Sequence, residues 1–228
     1  MSVPAATRRD RLGDSAWVTD GGLETDLIFN HAVDLPEFAS FPLVEDPDGA
    51  AMLERYFAGY AAIAGAAGAG LLLETPTWRA NPDWGRVLGY DANGLDRANR
   101  RAVDLVRRVQ SASGLDVVLV SGNVGPRGDG YRAGGADPDE AAEYHAAQVR
   151  SFAAAGVDLV HAMTMTGPAE AIGVVRAARD AGVPVALSFT VETTGCCPTT
   201  ARWRRPWTGW RPRRPPTGTA STAPTRPT

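Results

Sequence analysis

Five short apolar runs, each closed by polar or acidic residues and separated from the next by a stretch of helical periodicity, constrain this chain more than any other feature. The runs are Ala16 to Val18, Gly70 to Leu73, Val117 to Val120, Val157 to Met163 and Val185 to Val191. They are too short for helices and continuous in apolar character, as expected of parallel strands buried on both faces. Between them, Met52, Leu53, Tyr56, Phe57, Tyr60 and Ile63 recur at helical spacing, with Asp46 or Asp48 placed to cap. The same periodicity predicts helices over Leu95 to Val109, Pro138 to Ala155 and Ala169 to Asp180. Trp78 to Asn93 reads as a long polar connection with a turn at Asn81 to Gly85, and Gly125 to Gly135 as a glycine-rich lid or binding loop. Strand alternating with helix demands a parallel sheet with right-handed crossovers.

A closed barrel and an open doubly wound sheet both satisfy that alternation. The position of the polar residues favours the barrel, because Asp20, Glu74, Asn123 and Thr164 fall at the carboxyl ends of successive strands. An open sheet concentrates its site at one switch point, and no Gly-x-Gly-x-x-Gly opens the first helix. The fold class expected is therefore α/β, of the (β/α)8 TIM-barrel type but incomplete, with about five strands of eight. Within it, Asp20-Gly21-Gly22-Leu23-Glu24 stands out. Paired glycines let the backbone take positive φ and approach a ligand closely, with two acids presented at the rim. The same residues also suit an ordinary β-turn.

At about residue 195 the composition changes. Residues 196–228 hold seven arginines, seven prolines, eight threonines and three tryptophans, and no acid, Leu, Ile, Val, Met or Phe. Taking those seven charges from the overall −3 leaves −10 on residues 1–195. A segment this poor in apolar residues cannot offset its ordering entropy, so residues 196–228 are expected to be disordered. It reads as a nucleic-acid-binding arm with Trp203, Trp207 and Trp210 as stacking platforms, as a proline-rich linker, or as the product of a shifted reading frame in a GC-rich gene. The abrupt junction favours the last, and nucleic acid is not the expected partner. Two adjacent cysteines, Cys196 and Cys197, exclude a disulfide framework. The opening residues lack a signal-peptide apolar region, and no apolar run reaches the ~20 residues that span a bilayer, so a cytoplasmic protein is expected. All 23 basic residues are arginine, which removes lysine Schiff-base chemistry.

Several separated motifs occur in one order: Asp20-Gly21-Gly22-Leu23-Glu24-Thr25, Asp34-Leu35-Pro36-Glu37-Phe38-Ala39, Leu73-Glu74-Thr75-Pro76-Thr77-Trp78-Arg79-Ala80, Asp83-Trp84-Gly85, Gly122-Asn123-Val124-Gly125-Pro126 and Ser188-Phe189-Thr190-Val191-Glu192. Over about residues 16–194 the chain resembles the homocysteine S-methyltransferase family. The resemblance implies a zinc-dependent (β/α)8 barrel that moves a methyl group from a sulfonium, betaine or folate donor to the thiol of homocysteine, forming methionine. It implies that Asp20, Gly21 and Gly22 meet the amino-acid end of homocysteine, with Glu24, Glu74, Thr75 and Asn123 as further substrate-binding candidates. Trp78, Trp84 and Tyr131 are candidates to line the donor pocket or to pack under a loop. Where many relatives place a glutamate at the end of the fourth strand, this chain has Met163-Thr164. His161, inside that strand, reads as a core residue, and His31 and His145 carry no assignment.

The family's zinc sits in three cysteine thiolates, one in an Asn-Cys context and two in a Gly-Gly-Cys-Cys motif, both beyond the point where this chain leaves the pattern. A thiolate cage of that kind needs three ligands and an open fourth position. Cys196 and Cys197 follow the fifth strand without a third cysteine and read as a chance pair. The expectations are a homocysteine-binding portion over residues 1–195, no catalytic zinc and no methyl transfer by the chain as written. A barrel left open at its first and fifth strands exposes edges that invite association, with no particular oligomeric state indicated. The alternatives are a non-catalytic interaction protein working through its basic tail, or another metal-dependent barrel enzyme. Translating the coding sequence after codon 195 in its two other frames is expected to reveal apolar strands followed by Asn-Cys and Gly-Gly-Cys-Cys in one of them; finding neither motif removes the shifted-frame account.

Overall fold

The computed structural model describes residues 16–132 and 135–191. The stretch from residue 196 onward, with Cys196 and Cys197, lies outside the described residues, as does Glu192. Among the described residues there are five strands: β1 (Trp17–Thr19), β2 (Gly70–Glu74), β3 (Val118–Val124), β4 (Leu159–Met165) and β5 (Val185–Phe189). They form one parallel sheet in the order β1-β2-β3-β4-β5. That order separates the two architectures the sequence left open. A doubly wound sheet reverses its strand order at a switch point, whereas a barrel adds each strand to the same edge. There is no reversal here, so the crossovers share one handedness and one face, and the result is a half-barrel of the (β/α)8 type.

Among the described residues six α-helices accompany the strands: α1 (Leu23–Phe29), α2 (Pro47–Ala67), α3 (Pro82–Val87), α4 (Ala92–Ala112), α5 (Pro138–Ala155) and α6 (Pro168–Asp180). Asp46, rather than Asp48, caps α2 by accepting from Gly49 N, and Gly68 in the left-handed region ends it. Two helices depart from the sequence expectation. Helix α1 follows the glycine turn directly, and α3 occupies the Asn81–Gly85 turn because Asn81 accepts from Trp84 N while Pro82 takes the first helical position. Both are short, and seven or six residues show too little of a 3.6 period to be read from sequence.

Alternation along the strands sorts the side chains into two sets. Leu71, Leu73, Val118, Val120, Val160 and Ala162 pack outward into one core with Phe57, Leu105, Val106, Val149 and Phe152 of the helices. Gly122 belongs to this outer set, since a Cβ there would come within 2.5 Å of the Phe152 ring. The inner set is Leu72 and Glu74 on β2, Leu119, Ser121 and Asn123 on β3, and His161 and Met163 on β4, with register pairing Glu74 to Ser121 and Asn123 to His161. The inner face is thus apolar toward the strand starts and polar toward their carboxyl ends.

At the amino-terminal end of β4, Asp158 is buried; its Oδ2 accepts from Val120 N at 2.8 Å and from Arg107 Nη1 at 3.0 Å. This carboxylate ties α4 and β3 to the entrance of β4. Replacing it with alanine strands a buried N–H and a half-buried guanidinium, so Asp158→Ala is expected to cost about 3 kcal/mol in urea unfolding; a change under ~0.5 kcal/mol would show that the tie is redundant.

Candidate functional site

The carboxyl ends of β1 to β4 bring together acids that are far apart in sequence. Glu74 N donates to Asp20 Oδ1 at 2.8 Å, joining the end of β2 to the residue that follows β1. Asp20 is 8% exposed and Glu74 4%. Burial pushes the Asp20 carboxyl up from 3.8 to about 8, and the neighbouring Glu74 carboxylate adds to the rise, against the opposing pull of the Glu74 N–H. Burial thus favours the protonated form of Asp20. Glu24, on the first turn of α1, is also raised by burial, while the Ser40 hydroxyl, donating to its Oε1 at 2.6 Å, opposes the rise.

The glycine turn is held from behind. Gly22 takes φ +62°, and neither Gly21 nor Gly22 has a neighbour within 4 Å of where a Cβ would stand, so the turn faces open space. On its other side, the Tyr56 hydroxyl donates to Gly21 O at 2.8 Å and the Tyr60 hydroxyl reaches the same oxygen at 3.3 Å. Both tyrosines lie on α2, one helical turn apart. The sequence places them on the helix's apolar face; only the packing of α2 beside β1 turns their hydroxyls toward the turn.

Thr75 and Asn123 are adjacent but do different things. The Thr75 hydroxyl accepts from Asn123 N at 2.9 Å and shares a 2.7 Å hydrogen bond with Thr77, whose hydroxyl binds Asn123 O. Thr75 is thus a strut that locks the end of β2 to the end of β3. The Asn123 side chain points into the lumen, where its Oδ1 is buried with no hydrogen-bond partner among the described residues.

His161 corrects the sequence expectation. It lies on the inner face of β4 and is not packed in the core; its Nδ1 is 2.8 Å from Glu74 Oε1, and its side chain is 19% exposed. The sequence shows one histidine in an apolar run and does not reveal that strand alternation aims it across β3 at a carboxylate 87 residues away. At the end of the same strand, Thr164 adopts φ +56°, a left-handed conformation unusual for a β-branched residue, where the β4–β5 register slips. Its hydroxyl oxygen accepts from Trp78 Nε1 at 3.0 Å, which holds the indole at the strand end.

Trp78 and Trp84 both lie under the glycine-rich loop. Gly125 N donates to Trp78 O, a Cβ on Gly130 would stand 2.9 Å from the Trp78 ring, and Trp84 Nε1 donates to Gly128 O. The Arg79 guanidinium stacks 3.8 Å from the Trp84 ring centroid and 5.0 Å from that of Trp78. Tyr131 is largely exposed and takes no part in this stack. His145, unassigned from sequence, is buried between α5 and α6, 2.9 Å from Glu170 Oε1, which also accepts from Arg127 N and anchors the loop. Among the described residues no three His, Cys, Asp or Glu side chains are grouped to hold a metal ion, and no helix is long and apolar enough to cross a membrane.

A parallel half-barrel with acids and a glycine turn at the carboxyl rim of its strands belongs to the class of (β/α)-barrel enzymes. The sequence profile described as Homocysteine S-methyltransferase matches residues 17–203, and the chain belongs to that family. Among solved structures it is similar to the homocysteine methyltransferase MmuM from Escherichia coli. Against the oxidized form the TM-score is 0.70 at 20% identity, covering 87% of this chain and 70% of that one. Against the metallated form it is 0.65 at 20% identity, covering 82% and 67%. At that identity the likeness concerns the fold. Comparison with curated proteins by sequence gives no match.

The raised Asp20 pKa has a consequence for stability. The folded state favours the protonated acid, so its contribution is complete below the unfolded value near 3.8 and is lost as pH rises through about 8. Asparagine keeps the acceptor for Glu74 N and cannot ionise. Relative to wild type, Asp20→Asn is expected to gain stability progressively between pH 4 and pH 8 in thermal or urea unfolding; a pH-independent difference would place the Asp20 titration elsewhere.

Proposed function

We propose that this chain is the substrate-facing portion of a homocysteine S-methyltransferase, that residues 1–195 bind homocysteine, and that the amino-acid end of the substrate sits at the rim formed by Asp20, Gly21, Gly22, Glu24, Glu74, Thr75 and Asn123. The observation that carries the reading is the hydrogen-bonded series Asp20–Glu74–His161, which joins the ends of β1 and β2 to the inner face of β4 beside the open glycine turn. A zwitterionic substrate needs acceptors for its ammonium and donors for its carboxylate, and this rim supplies buried carboxyl oxygens next to a glycine turn that faces open space. The methyl donor is a small onium or folate compound that enters from the side of Trp78 and Trp84.

In the family reaction the thiol must lose its proton before it can displace the methyl group from the donor; a metal ion lowers the thiol pKa and holds the thiolate in line. The residues present do not fit that metal: the chain contains two cysteines, one fewer than a three-thiolate cage requires, and they are adjacent. The described acids and histidines form no substitute grouping. Zinc is accordingly a cofactor of the family and not of this chain as it stands, and its residues bind and orient homocysteine without completing the transfer. A cytoplasmic location with no membrane contact and no nucleic-acid partner goes with the reading.

Two measurements test this. Calorimetric titration with L-homocysteine is expected to show one site per chain. Gly22→Val, which forces a β-branched residue into φ +62° and fills the open side of the turn, is expected to weaken it at least about tenfold. No binding by the wild-type chain overturns the reading. Zinc analysis of the same sample is expected to fall far below one ion per chain, and stoichiometric zinc together with methionine formation would refute the claim about the metal.

A further inference from the structure

The half-barrel lumen contains a set of hydrogen-bond acceptors that no described residue satisfies. Glu74 on β2 is separated from His161 on β4 by the whole of β3, yet their side chains meet at 2.8 Å. The bridge they make passes over the inner face of β3, where the inward residues are Ser121 and Asn123. On this inner face, Glu74 Oε2, Ser121 Oγ and Asn123 Oδ1 are all buried, and none has a hydrogen-bond partner among the described residues. Buried polar atoms are nearly always paired, and leaving one unpaired costs about 1–3 kcal/mol. The three belong to neighbouring inward positions, since the register pairs Glu74 with Ser121 and Asn123 follows two residues on, and a ligand that donates would satisfy them.

Among the described residues, the donors are not supplied from within. Glu74 Oε1 and His161 Nδ1 share one hydrogen bond at 2.8 Å, which leaves Glu74 Oε2 as the unpaired oxygen. The other charged or titratable groups around Glu74 are Asp20, behind its backbone N–H, and Glu24 near Asp20, both acids. The ligand chemistry that fits is one positive charge with several N–H donors on a single small centre.

We propose that the cluster of Glu74, Ser121 and Asn123, roofed by His161, receives the primary ammonium group of the amino-acid substrate. The proposal rests on the reading of the site as a homocysteine-binding rim, and it moves the ammonium away from the first acid of the Asp20-Gly21-Gly22 turn. Three N–H donors match the three unpaired atoms, and the charge is met by the Glu74 carboxylate. Asp20 is poorly suited to that role, since one of its oxygens is taken by Glu74 N and burial favours its protonated form. Its place is to fix the end of β2, and so to aim Glu74.

The test compares L-homocysteine with 4-mercaptobutyrate, which has the same thiol and carboxylate and no ammonium, by calorimetry on the full chain. Wild type is expected to bind L-homocysteine at least about tenfold more tightly, the effect of one charge-assisted contact. Glu74→Gln and Asn123→Ala are each expected to remove most of that preference while changing 4-mercaptobutyrate affinity less than about twofold. The ligand comparison needs no variant, and Asn123→Ala serves if Glu74→Gln fails to fold by circular dichroism. Equal affinity of wild type for the two ligands overturns the proposal and leaves the homocysteine reading standing. A preference that survives in Glu74→Gln and Asn123→Ala but disappears in Asp20→Asn assigns the ammonium to Asp20 and overturns it as well. If wild type binds neither ligand, the proposal and the reading fall together.

Discussion

The period of two along a β-strand, combined with helices confined to one side of the sheet, is the constraint from which the rest of this molecule follows. Because every crossover lies on the outer face, Leu71, Leu73, Val118, Val120, Val160 and Ala162 must point outward, and their alternates must point into the lumen. The acids and amides at the strand ends cannot be accommodated in the outer core, since an unpaired buried charge is costly. They are instead gathered at one mouth, where Asp20, Glu74, Asn123 and His161 meet from four strands. Packing on one face of the sheet and chemistry on the other are two results of one alternation.

Around that mouth the protein uses side-chain hydrogen bonds for rigidity. Thr75 and Thr77 tie the ends of β2 and β3 together, Tyr56 and Tyr60 hold the Gly21 carbonyl, and Ser40 holds Glu24 to the Pro76 carbonyl. Each is a neutral group that fixes a strand end, an acid or the glycine turn. A binding site gains affinity when its groups are ordered before the ligand arrives, and these contacts provide that order. The Trp78–Arg79–Trp84 stack does the same for the glycine-rich loop, which crosses close to the indoles because Gly125 and Gly130 have no Cβ to block the approach.

How much of this is legible in the sequence varies with the length and regularity of each signal. Five strands and the four long helices can be read from apolar runs and a 3.6 period, and Asp20, Glu74 and Asn123 can be placed at strand ends. Helices α1 and α3 cannot, being no longer than about two turns. The polar partners are also hidden. Tyr56 and Tyr60 look like ordinary members of an apolar face, Ser40 like a loop residue, and His161 like a lone core histidine, because the groups they bond to are 16 to 87 residues away.

By itself, then, the sequence determined the family, the alternation of strand and helix, and the residues at the carboxyl rim, because these depend on local periodicity and short ordered motifs. It also determined, by cysteine count alone, that a three-thiolate cage cannot be assembled from this chain. Tertiary structure decided the rest. Strand order chose the half-barrel over the open sheet, since both share one local pattern and differ only in which edge receives the next strand. Register and curvature brought Glu74 and His161 together across β3 and left three buried acceptors on the same inner face, an arrangement that exists only once the sheet has formed.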